Sequence, residues 1–288
     1  MKLRKPILLV LALLWSFSAA YAQQAPQPLT FWSQYAVKPG KEEEFLNLVK
    51  TVGQPVRDKL MADGVVLAWG VEAPMLRGHN TTTHTIWYAV SDWSGIEKVQ
   101  NGIAAQFAKL AAEEAKAGEE GHKKGQKSSG MTTAERARDV FEADKTKDFL
   151  TRDLVFVAGN TMPPAGALPY TRYNFIKVKP GKADAYRATW EKYNKPVLDK
   201  LVADGTVLAF GLSVEEVKTT GDLTHFVWYA VNSLSGLDKV RSAILADRDR
   251  RSPEEREAIT AAFLAASEPD AARSAVDRAI MFHVAGQK

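Results

Sequence analysis

Cysteine is absent from the 288-residue chain. Its absence excludes disulfide bonds, thiol nucleophiles, iron–sulfur clusters, zinc–thiolate sites and covalently attached c-type haem. A large excess of one charge is also missing, because 38 basic residues stand against 34 acidic residues. The hydrophobic fraction of 45% and the charged fraction of 25% are ordinary for a globular protein. The chain is therefore expected to fold by burying a core, without covalent cross-links.

The first 22 residues have the pattern of a secretion signal. Basic residues at positions 2, 4 and 5 precede an apolar stretch at 7–18, and small residues end this stretch before Ala20-Tyr21-Ala22. This order is typical of a Sec-type signal peptide, residues 1–22, cleaved before Gln23. The stretch is shorter than the roughly 20 apolar residues that a membrane-spanning helix needs. We therefore expect a periplasmic or secreted protein with no membrane attachment after cleavage.

Cleavage also changes the charge balance. Residues 1–22 hold three of the 38 basic residues and no acidic residue, which leaves 35 basic against 34 acidic residues. A nucleic-acid-binding protein needs a clustered basic face, and a nearly neutral chain does not indicate one. Nucleic acid is therefore excluded as the expected partner, and a small-molecule ligand is expected instead.

The rest of the chain contains one unit twice, at an offset of 141 residues. The pentapeptide Val-Lys-Pro-Gly-Lys at 37–41 recurs at 178–182, and Trp-Tyr-Ala-Val at 87–90 recurs at 228–231. From position 37 to position 99, 27 of 63 residues are identical to their counterparts, without a gap. Self-similarity of this kind indicates an internal duplication.

Periodicity predicts the same order of elements in each repeat. A strand ends at Lys-Pro-Gly, a helix runs to Asp-Gly, two strands follow, and then come a second long helix and a final apolar strand. Pro55 and Pro196 are expected to kink the first helices. Residues 114–130, rich in Lys, Glu and Gly, predict a mobile, solvated insertion.

This order is the ferredoxin-like plan, so the predicted fold class is α+β with two tandem βαββαβ repeats. The first repeat spans 23–159, a linker spans 160–170, and the second repeat spans 171–288. Helices cover one face of each antiparallel sheet, and the other face needs a partner. The two sheets are expected to face each other as an intramolecular barrel, which about eight strands make just wide enough for side chains or one small ligand. Because this pseudo-dimer satisfies the interface internally, a monomer is expected.

Two histidines occupy the same place in the third strands of the repeats. By strand alternation, His84 shares a face with Tyr88, and His225 shares a face with Tyr229. If that face lines the barrel, these four side chains offer general bases and hydrogen-bond donors, and they are the catalytic candidates. The alternative is that they are packed core residues with satisfied hydrogen bonds. No local spacing of metal ligands is present, so no metal site is predicted.

These motifs resemble the dimeric α/β-barrel superfamily. The resemblance rests on the Val-Lys-Pro-Gly-Lys turn, the acidic amphipathic helix after it, and the Trp-Tyr pair of the third strand. The superfamily includes antibiotic-biosynthesis-type monooxygenases, NIPSNAP-like and EthD-like proteins, haem-degrading oxygenases and chlorite-dismutase-like proteins. The resemblance implies the fold, whereas families of this fold share little chemistry.

Three functions remain open, of which the resemblance implies the first and the third. The first is a cofactor-independent monooxygenase-like enzyme that binds an apolar or aromatic substrate, so no cofactor is predicted. The second is a non-catalytic structural or interaction barrel with a filled core. The third is haem binding, because the haem-degrading members use an asparagine of the first strand, a tryptophan of the third strand and a histidine of a helix. Asn174 and Trp228 match the first two, but the expected helices lack the histidine, and His122 falls in the insertion. The ligand-binding candidates are Trp69, Trp87, Asn174, Phe210 and Trp228.

Overall fold

The structure is a computed structural model that describes residues 27–76, 82–123, 130–159, 168–219 and 223–285. The expected signal peptide, most of the expected linker, and residues 124–129 of the expected insertion lie outside the described residues. The side chains of 120–123 lie outside them too.

Eight strands form the sheet of the described residues. They are β1 Leu29–Tyr35, β2 Val66–Pro74, β3 His84–Val90, β4 Lys147–Ala158, β5 Tyr170–Val178, β6 Val207–Val217, β7 His225–Val231 and β8 Ser267–Val284. The expected strands are all present, and β4 and β8 begin well before the short apolar runs that predicted them. The Lys-Pro-Gly turns after β1 and β5 place Gly40 and Gly181 at φ of 80° and 72°, a conformation that favours glycine.

The helices cover the outside of the sheet. They are α1 Glu42–Leu48, α2 Gln54–Ala62, α3 Trp93–Lys123, α4 Thr133–Val140, α5 Ala183–Tyr193, α6 Lys195–Ala203, α7 Leu234–Asp249 and α8 Pro253–Ala266. A π-helical segment, Val49–Gly53, separates α1 from α2 just before Pro55, and α5 ends just before Pro196. Both breaks occur where the prolines predicted a kink, because proline removes a helix hydrogen bond.

The strands close into one barrel in the order β1-β3-β2-β8-β5-β7-β6-β4, with β4 pairing back to β1. Each repeat contributes four antiparallel strands in the ferredoxin-like order. The repeats join at two seams, β2 with β8 and β4 with β6, and each seam carries a register shift. The predicted α+β class and the tandem ferredoxin-like barrel are therefore confirmed.

One expectation is wrong. Residues 114–123 of the expected mobile insertion are helical, because α3 continues to Lys123. The composition that suggested a solvated loop is also rich in Ala, Glu and Lys, which are strong helix formers. His122 therefore lies on the second helix of the first repeat rather than in a loop, and its side chain is outside the described part of the chain.

A pair of glycines lets the barrel close around two tryptophans. A Cβ atom on Gly211 would lie 2.7 Å from Nε1 of Trp228, and a Cβ atom on Gly70 would lie 2.9 Å from Cζ2 of Trp87. Such distances are too short for carbon atoms in contact. Glycine is therefore required where β2 and β6 pass beside these indole rings.

We expect Gly211→Ala to lower the free energy of unfolding by about 1–3 kcal/mol, because the added methyl group overpacks the barrel against Trp228. Gly118→Ala in α3 is the matched control, since a Cβ atom there meets nothing within 4 Å. This control should raise the free energy of unfolding by about 0.5–1 kcal/mol through helix propensity. Urea unfolding checks both, and a Gly211→Ala protein as stable as the wild type would contradict the packing argument.

Candidate functional site

The strand register decides which side chains enter the barrel. Tyr173 of β5 stands opposite Trp228 of β7, and both line the central cavity. Their neighbours Asn174 and Val227 also stand opposite each other, and Val227 belongs to the cluster packed against the helices. Directly opposed residues share a face, so Asn174 points away from the barrel centre.

The four catalytic candidates lie on the helix side. The His84 ring packs 4.9 Å from the Phe45 ring of α1, and the His225 ring packs 5.8 Å from the Tyr186 ring of α5. Each Nδ1 lies within 3.0 Å of the hydroxyl of the preceding threonine. Burial lowers the pKa of His225 to about 4, so this ring is neutral at neutral pH.

Tyr88 and Tyr229 belong to the two helix-packed clusters. The histidines and tyrosines therefore do not line the barrel, and the expected catalytic pairs around its centre do not form. Their surroundings correspond to the alternative interpretation, in which they are packed residues beneath the helices.

The ligand-binding candidates do not form one site. Trp87 and Trp228 point into the barrel, whereas Trp69 and Phe210 are fully buried on the helix side. Asn174 is half-buried, and its Oδ1 accepts a hydrogen bond from the Ser274 hydroxyl at 2.9 Å. The two residues matched to the haem-degrading oxygenases, Asn174 and Trp228, thus lie on opposite faces of the barrel wall.

Aromatic rings fill the barrel centre. Trp32 stacks on Phe149 at 5.7 Å and meets Tyr173 edge-on at 5.8 Å, and Phe149 stacks on Phe226 at 5.9 Å. They leave a cavity of about 30 Å³. That volume holds one or two water molecules and no organic substrate.

Haem does not fit the described interior. The cavity is too small for a porphyrin, the two strand histidines face the helices, and Asn174 is on the outer face. Among the described residues, no group of three or more His, Asp and Glu side chains is arranged to hold a metal ion. Nor is any described helix both long and apolar enough to cross a membrane.

Buried carboxyl groups lie at the seams, and the sequence interpretation missed them. Glu72 of β2 is 2% exposed, and its Oε2 accepts a hydrogen bond from the Tyr173 hydroxyl at 2.8 Å. Burial, with Asp277 beside it, raises the pKa of Glu72 to about 7, and burial raises the pKa of Asp277 to about 6. At the other seam, burial raises the pKa of Asp153 to about 6, and its Oδ1 accepts a hydrogen bond from the Ser213 hydroxyl at 2.5 Å.

A second unusual group lies beneath the helices of the first repeat. Arg57 of α2 is 7% exposed, and its Nε and Nη1 have no hydrogen-bond partner among the described residues. Its guanidinium lies 5.5 Å from the centre of the Trp69 ring and 5.9 Å from that of Tyr88. Burial lowers the pKa of Arg57. A buried guanidinium without a bonded carboxylate is expensive, which makes this position a candidate binding site for an anion.

The π-helical segment makes room for this arginine. A Cβ atom on Gly53 would lie 2.2 Å from Nη1 of Arg57. The extra residue of the π turn and the absence of a side chain on Gly53 therefore both leave space for the Arg57 guanidinium. Segments of this kind are frequent at functional sites.

An aspartate and a histidine border the same tryptophan. Asp58 Oδ1 accepts a hydrogen bond from Nε1 of Trp69 at 2.9 Å. The His283 ring stacks on the Trp69 ring at 4.2 Å, and its Nδ1 lies 3.7 Å from Asp58 Oδ1. An imidazole beside a carboxylate is a common arrangement for a general base. Tyr35 lies near enough to Arg57 to interact with its charge. We name the site formed by Tyr35, Arg57, Asp58, Trp69, Tyr88 and His283 the Arg57 site.

The second repeat lacks this chemistry. At the 141-residue offset, Leu198 replaces Arg57, Phe210 replaces Trp69 and Ile176 replaces Tyr35. Across the seam, Val157 opposes Phe210 where His283 opposes Trp69. A comparison of the two repeats could have located the Arg57 site from sequence. Arg57 aligns with Leu198, although the Pro-Val before it and the Asp-Lys-Leu after it are identical in both repeats.

We expect the seam carboxyl group of Glu72 to make stability depend on pH. Below its ordinary pKa of 4.5, Glu72 is protonated in the folded and unfolded states. Between pH 4.5 and about 7, Glu72 loses its proton in the unfolded state but keeps it in the folded state. The free energy of unfolding therefore falls by about 3 kcal/mol as the pH rises through this range. Glu72→Gln should make the fall of stability shallower in urea unfolding measured from pH 4.5 to 8, and the remaining fall comes from Asp153 and Asp277, whose pKa values are also raised.

Glu216→Gln is the control for this measurement. Its carboxylate accepts hydrogen bonds from Arg152, which lower the pKa of Glu216, so Glu216→Gln should lower stability by a constant amount above pH 4.5 and leave the slope between pH 4.5 and 8 unchanged. A Glu72→Gln protein that keeps the wild-type slope between pH 4.5 and 7 would show that Glu72 ionises freely in the barrel.

Comparison with known proteins supports the architecture. No protein-family model matches the chain, and no curated protein sequence matches it. Among solved structures, a proposed monooxygenase from Fusobacterium nucleatum is 10% identical and superposes with a TM-score of 0.56, covering 91% of this chain and 96% of that chain. A proposed monooxygenase from Lactobacillus acidophilus is 8% identical with a TM-score of 0.55, covering 90% of this chain and 97% of that chain.

A third similar structure is an anthrone oxidase-like protein, 10% identical with a TM-score of 0.50, covering 92% of this chain and 96% of that chain. Identities this low establish a shared fold and no shared chemistry. The eight-stranded barrel and these likenesses together show that the chain has the fold of the dimeric α/β-barrel superfamily, with both halves in one polypeptide.

Proposed function

We propose that the chain is a small-molecule-binding barrel protein with a cofactor-independent, monooxygenase-like activity, and that its substrate binds at the Arg57 site instead of the barrel centre. The observation that carries this proposal is the buried guanidinium whose Nε and Nη1 lack partners among the described residues. An anionic oxygen of the substrate completes those hydrogen bonds. The packed interior supports the same location, because a cavity of about 30 Å³ has no room for an aromatic molecule.

The chemistry requires a carbon acid or a phenol. Cofactor-independent oxygenation begins when a base removes a proton and leaves an electron-rich anion that dioxygen can oxidise. Arg57 stabilises the oxyanion in a site of low dielectric constant, where a fixed charge acts most strongly. The Arg57 guanidinium lies against the Trp69 and Tyr88 rings, and the Asp58–His283 pair accepts the proton.

Anthrone is a suitable probe of this chemistry. Loss of its C–H proton gives an enolate, and oxidation by one dioxygen molecule yields anthraquinone and one water molecule. One of the similar structures is an anthrone oxidase-like protein, which makes the same probe a reasonable first choice. The Arg57 site would hold the enolate oxygen against the guanidinium.

The filled interior favours a second candidate, a non-catalytic barrel that binds its ligand without converting it. Wild-type protein that binds anthrone without consuming dioxygen would support this candidate.

We further propose that residues 1–22 direct export to the periplasm. A monomer is also proposed, because both seams join strands of one chain.

We expect Arg57→Leu, which installs the residue of the second repeat, to abolish anthrone binding and dioxygen consumption. The same change should raise the free energy of unfolding by about 1–4 kcal/mol, because it replaces an unpaired buried charge with an apolar side chain. Equilibrium binding, dioxygen uptake and urea unfolding measure the three effects.

Leu198→Met is the matched control at the equivalent position of the second repeat. A volume-conserving exchange there should change stability by less than about 1.5 kcal/mol and leave anthrone binding intact. Full binding by the Arg57→Leu protein would refute the Arg57 site.

A further inference from the structure

A crevice on the second repeat is independent of the Arg57 site and of the barrel interior. It lies where α5 and α6 meet α7 and α8, and its volume is about 180 Å³. Its apolar wall is formed by Val197, Ile244 and Ile259, and Ile244 is 41% exposed. An isoleucine this exposed beside a pocket gains from contact with an apolar ligand.

Arginines surround the apolar wall. Arg248, Arg251 and Arg256 line the crevice together with one carboxylate, Asp247. Asp247 also pairs with Arg250 at 3.2 Å. Cationic groups thus outnumber the anionic group of the lining.

The neighbouring carboxylates do not neutralise this charge fully. Asp249 lies 3.0 Å from Arg248 and 4.0 Å from Arg256, so two guanidinium groups share one carboxylate. Arg251 pairs with Asp247 at 2.5 Å and with Glu255 at 2.7 Å. The paired side chains are four arginines and three carboxylates, namely Arg248, Arg250, Arg251, Arg256, Asp247, Asp249 and Glu255. This group therefore carries one net positive charge.

One of these arginines is held rigidly. Arg251 has both of its carboxylate partners, and its guanidinium also lies 5.0 Å from the centre of the Tyr193 ring. Lys192 lies 4.8 Å from the same ring. The positions of the Tyr193 ring and of Arg251 are therefore defined before any ligand arrives, which lowers the entropy lost on binding.

The first repeat lacks the charges that α7 and the segment just after it bring to the lining. At the 141-residue offset, Phe107 stands in place of Arg248, Leu110 in place of Arg251 and Gln106 in place of Asp247. These charges are thus not a requirement of the shared fold, whereas Arg256 of α8 corresponds to Arg136, since each stands four residues after the N-cap of its helix. At Arg57 the first repeat carries the charge and the second repeat does not. At the three aligned positions the second repeat carries the charges and the first repeat does not.

We propose that this crevice binds a small organic monoanion built on one six-membered ring, of the aromatic carboxylate class. The ring packs on Ile244, Ile259 and Val197, and the carboxylate binds Arg248 and Arg256, whose charges are the less fully paired. A volume of about 180 Å³ exceeds the roughly 150 Å³ of an apolar cavity that holds benzene. Asn194 also lines the crevice, and its side-chain amide can donate hydrogen bonds to the ligand.

The test uses sodium benzoate as the probe, titrated into the whole chain and followed by calorimetry and ligand-observed NMR. Saturable benzoate binding is expected, with benzyl alcohol and benzylammonium at least tenfold weaker. Arg256→Gln and Arg248→Gln should each weaken benzoate binding about tenfold. Ile244→Trp, which fills the crevice and keeps its charges, should abolish binding. Benzyl alcohol binding as tightly as benzoate, or an absence of saturable binding, would overturn the proposal.

Two control variants distinguish benzoate binding in the crevice from benzoate binding elsewhere on the protein. Arg241→Gln removes an exposed arginine of α7 that does not line the crevice, and it should leave benzoate binding unchanged. Arg57→Leu should leave it unchanged as well. Loss of benzoate binding in Arg57→Leu, with binding retained in Arg256→Gln, would assign benzoate to the Arg57 site and overturn the crevice proposal. Thermal unfolding of each variant shows whether it is folded.

Discussion

Closure of the barrel at its two seams is the constraint on which the rest of the structure depends. Once β2 pairs with β8 and β4 pairs with β6, every strand has two neighbours, and every strand side chain faces either the enclosed centre or the helices. The diameter of an eight-stranded barrel is set by strand number and tilt, so its interior has a fixed size. Trp32, Trp87, Phe149, Tyr173 and Trp228 occupy that space, and the glycines of β2 and β6 accommodate the two indoles that lie against the wall.

Because the centre is full, the substrate site that we propose lies outside it, between the barrel and its helices. There the duplicated scaffold holds two different sets of side chains on the same backbone plan. The second repeat fills the space beneath its helices with apolar groups such as Leu198 and Trp190, whereas the first repeat places Arg57 there beneath a π turn. The difference between the copies is informative because the fold alone would accept leucine at both positions.

The fold was largely predictable from the sequence, whereas the position of the site was not. The repeat, the Lys-Pro-Gly turns and the proline-induced breaks each have a local cause, and local causes are visible in a sequence. Strand alternation showed that His84 shares a face with Tyr88, but it could not say which face looks inward, because both faces of this wall are buried and both carry aromatic side chains. Residues 114–123 misled for another reason: their Lys, Glu and Gly residues predicted a solvated loop, but the segment is also rich in Lys, Glu and Ala, which are strong helix formers.

Two ionisable groups of the first repeat, Glu72 and Arg57, are buried where the two copies differ. Glu72 corresponds to Ser213 across the duplication, and Arg57 corresponds to Leu198, so each of these buried groups has a neutral counterpart in the other repeat. The neutral counterparts show that the scaffold does not need these charges, and unpaired buried charge lowers stability. Because the repeats share one closed barrel, the apolar packing of the second repeat can offset that loss. One copy is then free to carry a destabilising site, which is the arrangement expected where function competes with stability.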